Sequence, residues 1–178
     1  MENSEIKDIL LTKDEISLKV KELAEKINLD YAGKEIIIIG ILKGCFVFMS
    51  DLIRELDLSL QVQFMEVSSY GDGTISRGDI TIKKDVCVDI SGRDVIIVED
   101  IIDSGITLSR LKKILLKRNP KSLKICTLLS KPSRREVDIT ADYIGFEIPD
   151  KFVAGYGLDV AEKYRNLPYV AVFKEHNI

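Results

Sequence analysis

Apolar residues recur along this chain with two alternating periods. After Thr12-Lys13-Asp14-Glu15, a capping-box pattern, Ile16, Val20, Leu23 and Ile27 fall at helical spacing and predict an amphipathic helix over residues 13 to 29. Residues 35 to 42 form a continuous β-branched run that ends at Lys43-Gly44, and Phe46, Met49, Leu52, Ile53 and Leu56 then return to helical spacing. That order predicts a strand, a tight turn and a helix. Residues 60 to 68 predict another strand, running into a mobile loop over 68 to 78, where small and polar residues show no period. Segments at 80 to 84 and 86 to 90 predict a hairpin flanking that loop. Residues 94 to 99 set Val-Ile-Ile-Val between acidic residues and predict a short buried strand; Leu108, Leu111, Ile114 and Leu115 then predict a helix, and 123 to 129 a strand. Beyond about residue 132 the pattern is irregular, broken by Pro149, Gly155, Gly157 and Pro168.

Buried β-branched strands alternating with helices predict an α/β class with a parallel sheet covered on both faces. Ligands of such sheets bind beyond the carboxyl ends of the strands. The chemistry is therefore to be sought just after Leu42, Ser68, Glu99 and Leu129.

Composition narrows the classes. At 178 residues and 46% hydrophobic content, residues 1–178 are read as a single domain with one substantial core. Charged residues are interspersed and the formal net charge is -3, so no broad basic face for nucleic acid is expected. Cys45, Cys87 and Cys126 are odd in number and far apart, and His176 is the one histidine, which argues against a disulfide framework and a zinc site and for a reducing compartment. The first residues lack a basic and an apolar region, and the longest apolar run, 36 to 42, is far short of the roughly 20 residues that span a bilayer. A cytoplasmic protein without a membrane segment is expected.

The sharpest chemical signal is Val95-Ile-Ile-Val-Glu-Asp-Ile-Ile-Asp-Ser-Gly-Ile-Thr107: an apolar strand, three carboxylates, a small-residue turn and a helix start. Backbone N–H groups at a helix N-terminus bind phosphate, so Asp103, Ser104, Gly105, Ile106 and Thr107 suit a monophosphate. Glu99 and Asp100, at the strand end, suit the vicinal hydroxyls of a ribose, directly or through a divalent cation. An isolated Asp-Ser-Gly reads as a helix cap.

The whole stretch resembles the phosphoribosyl pyrophosphate (PRPP) motif of type I phosphoribosyltransferases. Nearly the full chain resembles their hypoxanthine-guanine branch, and four further segments carry that likeness. Leu42-Lys43-Gly44 is similar to the family's pyrophosphate loop, in which a strained peptide bond at the lysine turns N–H groups toward the anion; alone it reads as a strand-to-helix turn. Ser68-Ser69-Tyr70-Gly71 resembles the flexible loop that closes over the site, with Ser69 and Tyr70 in it. Lys131 matches the lysine that contacts the purine six-position oxygen.

Residues 146 to 159, Phe-Glu-Ile-Pro-Asp-Lys-Phe-Val-Ala-Gly-Tyr-Gly-Leu-Asp, resemble the base-binding segment. There the resemblance implies that Phe152 stacks on the purine, the Val153 backbone reads its edge, and Asp159 helps Glu99 and Asp100 hold Mg2+. Arg165 matches an arginine near the pyrophosphate, and Asp103 the candidate general base. The resemblance also implies a small hood beside the sheet, drawn mostly from the C-terminal third, and a homodimer or homotetramer. The implied activity joins hypoxanthine or guanine to the ribose phosphate of PRPP, forming IMP or GMP and releasing pyrophosphate.

One departure stands out: Ser104 and Ile106 replace the Thr and Lys of many members, so a positive charge beside the phosphate loop is missing. Two other classes fit less well. A PRPP-sensing regulator would need a basic face or DNA-binding helices, and a dinucleotide oxidoreductase would need a strand-turn-helix G-x-G-x-x-G.

Overall fold

The computed structural model describes residues 5–69 and 80–174. The first helix, α1 (Lys13–Asp30), begins where the capping box predicts: Thr12 Oγ1 accepts from the Glu15 N–H at 3.3 Å, and the Glu15 carboxylate accepts from the Thr12 N–H at 2.8 Å. Its stripe of Ile16, Val20, Leu23 and Ile27 is buried.

Strands β2 (Glu35–Leu42), β3 (Ser59–Ser69), β4 (Ile80–Lys84), β5 (Asp94–Ile102), β6 (Ser122–Ser130) and β7 (Tyr143–Glu147) make one sheet in the order β4-β3-β2-β5-β6-β7. All neighbours are parallel except β3 and β4. The unbroken isoleucine run has a direct physical cause. Successive side chains alternate between faces, and both faces are covered. Ile36 and Ile38 join the core beneath α1 and α2 (Phe46–Arg54), while Ile37 and Ile39 join the core beneath α3 (Ile106–Leu116).

A second, three-stranded antiparallel sheet sits apart. It pairs β1 (Ile6–Leu11) with β9 (Val170–Phe173), and β9 with β8 (Val153–Ala154). The sequence pattern did not predict β1, whose partner lies at the far end of the chain.

Two boundaries differ from expectation. Residues 86 to 90 form no strand, because side chains take up the backbone donors there: Val86 N–H donates to Asp85 Oδ1 at 2.7 Å, and Cys87 N–H to Gln63 Oε1 at 3.2 Å. Ile80–Lys84 instead pairs directly with β3, from Ser69 opposite Ile80 to Glu66 opposite Lys84. Strand β5 runs past Glu99 to Ile102, because β6 continues beside it as far as Ser130. The acid pair therefore lies inside the strand and not at its end.

Candidate active site

The acid pair is divided between the two faces of the sheet. Glu99 and Asp100 are consecutive on β5, so their side chains leave it on opposite sides. Glu99 lines a small cavity of about 150 Å³ together with Asp103, Ser104, Gly105 and Thr107. Asp100 faces the β2–α2 turn, where a Cβ added to Gly44 would fall 1.6 Å from Asp100 Oδ2. Gly157 in turn packs on Gly44, since its Cβ would lie 2.2 Å from the Gly44 carbonyl oxygen. Three separate segments thus meet at Gly44, one through the Asp100 carboxylate and one through the Gly157 backbone. Burial raises both carboxyls, Glu99 well above the ordinary range with the Asp100 charge adding to the effect, and Asp100 to about 6. The Ile101 N–H, donating to Asp100 Oδ1 at 2.8 Å, and the Arg165 charge work against the rise at Asp100.

The turn after β5 is shaped by Gly105. Its φ is 80°, and an added Cβ would meet Ile139 Cγ2 at 2.5 Å, so both backbone and space require glycine. The turn is braced from behind: Arg135 donates to the Asp103 carbonyl and, at 2.8 Å, to Ser130 Oγ, and the Glu136 N–H donates to the Ser104 carbonyl at 3.0 Å. The expectation that no positive charge stands beside this loop needs correction. Arg135, whose Cδ lies 3.1 Å from the position of a Gly105 Cβ, supplies one, although it is engaged with backbone and Ser130.

A larger cavity of about 580 Å³ adjoins it, lined by Glu5, Asp103, Lys131, Arg134, Asp150, Phe152 and Phe173 among others. Lys131 is buried, with its N–H bonded to the Ile102 carbonyl at 3.0 Å and its Nζ 3.7 Å from Asp150 Oδ1. Phe152 stands 39% exposed at the mouth, and Val153 is buried behind it, paired with Val172. Arg134 Nε lies 2.7 Å from Asp103 Oδ1, close enough for an ion pair, yet that oxygen has no aligned hydrogen bond.

On the other side of the acid pair the Leu42–Lys43 peptide bond is cis. Lys43 Nζ is 3.0 Å from Glu162 Oε2, while Arg165 Nη2 lies 2.7 Å from Asp159 Oδ1 and 3.5 Å from the same Glu162 oxygen. Among the described residues, no group of three or more Asp, Glu, His or Cys side chains converges as a ready metal cage. Magnesium does not need one, because it keeps several waters and takes further oxygens from substrate. Two half-buried carboxyls with raised pKa values, one beside Asp159, fit such a cation.

A family model of the phosphoribosyl transferase domain matches residues 7–161. The hypoxanthine-guanine phosphoribosyltransferase of Bacillus subtilis (strain 168) is 51% identical over 174 residues, which cover 98% of this chain and 97% of that one. The chain belongs to this family. The hypoxanthine phosphoribosyltransferase of Salmonella typhimurium is 52% identical over 165 residues, covering 92% of this chain and 93% of that one. The crystal structure of a hypoxanthine phosphoribosyltransferase from Staphylococcus aureus superposes with a TM-score of 0.93 at 48% identity, covering 98% of this chain and 97% of that one.

Within this phosphoribosyltransferase fold, the residues singled out from sequence gather into three groups. Glu99, Asp103, Ser104, Gly105 and Thr107 line the small cavity; Asp103, Lys131 and Phe152 line the large one; Lys43, Gly44, Asp100, Asp159 and Arg165 are linked by the contacts just described. Ile106 opens α3 without lining either cavity, and Val153 and Asp159 flank the large cavity in sequence without lining it. Ser69 closes β3, while Tyr70 and the remainder of the expected loop lie outside the described residues. Sequence reasoning missed Arg134, Arg135, Asp150, Glu162 and Glu5. The run Lys-Pro-Ser-Arg-Arg directly after a strand end was a signal for the two arginines; Glu5 had none.

Proposed function

We propose that this chain transfers the 5-phosphoribosyl group of PRPP to hypoxanthine or guanine, giving IMP or GMP and pyrophosphate, in purine salvage. The observation that carries this reading is the meeting of two cavities at one carboxylate: Asp103 lines both the cradle at the start of α3 and the cavity holding Lys131 and Phe152. A sugar phosphate seated in the first and a flat base in the second would share Asp103 at their junction.

In the reaction the bond from the anomeric carbon to pyrophosphate breaks while a purine ring nitrogen bonds to that carbon. The backbone N–H groups of Ser104 to Thr107 hold the 5-phosphate. Lys43 and Arg165, exchanging Glu162 for substrate, offset the charge growing on the pyrophosphate. Asp103 accepts the ring proton. Glu99, Asp100 and Asp159 would hold Mg2+ partly through its waters. Bound there, the ion supplies positive charge to the pyrophosphate oxygens. Phe152 stacks on the base, and the Val153 backbone and Asp159 frame its two-position edge. Ser69, at the end of β3, and Tyr70 would help exclude water, as the family resemblance implies. The enzyme works in the cytoplasm as a homodimer or homotetramer, which light scattering over a concentration series checks.

Lys131 donates and does not accept, so it favours a six-position oxygen over the amino group of adenine. With magnesium and PRPP, hypoxanthine and guanine should give nucleotide rapidly, xanthine more slowly, and adenine poorly. Adenine reacting as fast as hypoxanthine would remove Lys131 from its role. No nucleotide from any of the four bases would remove the activity itself.

A further inference from the structure

We propose that Arg134 is a positioning residue for this transfer, holding the Asp103 carboxylate in the orientation in which it receives the purine proton. The inference rests on the phosphoribosyl-transfer reading above. Arg134 is one link in a row of alternating charges along the wall of the large cavity: Asp103, Arg134, Asp150, Lys131. The links are 2.7 Å from Arg134 Nε to Asp103 Oδ1, 3.5 Å from Arg134 Nη1 to Asp150 Oδ2, and 3.7 Å from Lys131 Nζ to Asp150 Oδ1.

The row follows from local backbone geometry. Lys131 caps the single 3₁₀ turn Pro132–Arg134, and residues three apart on such a turn eclipse each other, which brings both cations to the same cavity. Proline at the first turn position fixes its own φ, and the turn is tied at both ends: Lys131 N–H to the Ile102 carbonyl at 3.0 Å, Arg134 N–H to the Lys131 carbonyl at 3.1 Å, and Arg135 to the Asp103 carbonyl. The Cα of Arg134 is thereby set relative to Asp103.

An ion pair between groups this exposed adds little stability, so its contribution must lie elsewhere. Asp103 Oδ1 is buried and has no hydrogen-bond partner among the described residues, and the guanidinium charge is what faces it. A planar guanidinium anchored on Asp150 restrains the rotation of the carboxylate it touches. With Oδ1 so held, Oδ2 is the oxygen that takes the proton from the purine nitrogen as the carbon–nitrogen bond forms and pyrophosphate departs.

The test compares Arg134→Gln, Arg134→Lys, Asp103→Asn and the double variant Asp103→Asn/Arg134→Gln, with single-turnover rates at saturating PRPP and hypoxanthine and KM values for both. Arg134→Gln should slow the chemical step by about tenfold, less than the roughly hundredfold or more that a general base itself contributes, while both KM values move by less than about threefold. Arg134→Lys should recover part of the rate. In the Asp103→Asn background Arg134→Gln should cost less than about twofold, because two residues acting through one step are not additive. Full wild-type rate in Arg134→Gln, an equal loss in both backgrounds, or an effect confined to KM for PRPP would overturn the proposal. An active wild type with any of these results sinks the role of Arg134 alone, whereas a wild type that forms no nucleotide sinks the functional reading beneath it. Melting temperatures of the variants report folding separately.

Discussion

The small cradle and the large cavity meet at Asp103, yet they are built in opposite ways. The cradle of about 150 Å³ is lined by residues within a single stretch, 99 to 108, and much of what it offers is main chain held by the conformation of Gly105. The cavity of about 580 Å³ draws on segments as distant as Glu5, Lys131, Phe152 and Lys174, and what it offers is side chains. A phosphate asks only for N–H groups turned the right way, which a strand-turn-helix supplies locally. A base asks for particular donors and a flat apolar face, which must come from wherever the fold can bring them. Substitutions in the two regions should therefore separate sugar phosphate binding from base binding, except at the shared carboxylate.

Asp103→Asn gives the largest expected effect and is the one change that the contrast does not separate. Shape and hydrogen-bonding reach are kept while basicity is lost, so single-turnover rates should fall by about tenfold to several hundredfold with PRPP affinity nearly intact. Gly105→Ala isolates the cradle. A non-glycine residue at a left-handed φ costs roughly 1–2 kcal/mol, and the Ile139 contact adds to that, so KM for PRPP should rise by at least about fivefold with KM for hypoxanthine little changed. Phe152→Ala is its converse. Loss of a stacking face worth about 0.5–1.5 kcal/mol should raise KM for the base by roughly two- to tenfold and leave PRPP binding as it was. Equal shifts of both constants in either variant would dissolve the distinction.

The mildest prediction concerns stability and is read without substrate. Asp100 titrates at about 6 in the folded chain against an ordinary 3.8, so between these values the folded state keeps a proton that the unfolded state has released. Stability falls as pH rises through that window, and above it the ionised, half-buried carboxylate costs on the order of 3 kcal/mol. With a chelator present, Asp100→Asn should raise the melting temperature at pH 7.5 by several degrees and have no effect below about pH 4. A constant difference across pH would show that burial of the charge is not the cause.

What was legible in the sequence follows the same division. The helix opened by Thr12 and the isoleucine strand 35 to 42 were readable because a cap and a two-sided core each leave a local mark. The turn from β5 into α3 was readable for the same reason. The extension of β5 past Glu99 to Ile102 was not, since a further carboxylate inside a buried strand contradicts its pattern, and only the neighbouring β6 explains it. The pairings of Arg134 and Asp150 left no such mark, because their partners, Asp103 and Lys131, are fixed by the way loops converge. Lys43 and Arg165 could be named by resemblance, but their common partner Glu162 could not.

The pairing of β1 with β9 also sets a timetable. Ile6 lies opposite Phe173, and the Lys174 N–H donates to the Glu5 carbonyl at 3.0 Å. During synthesis the first of these strands therefore leaves the ribosome with no partner and waits while the rest of the fold is made. The six-stranded sheet has all its strands once Glu147 has emerged, so the small cavity at the start of α3 can be complete while the wall of the large cavity formed by Glu5, Phe173 and Lys174 is still missing. A nascent chain stalled before Val170 would carry one finished cavity beside another that still lacks Phe173 and Lys174.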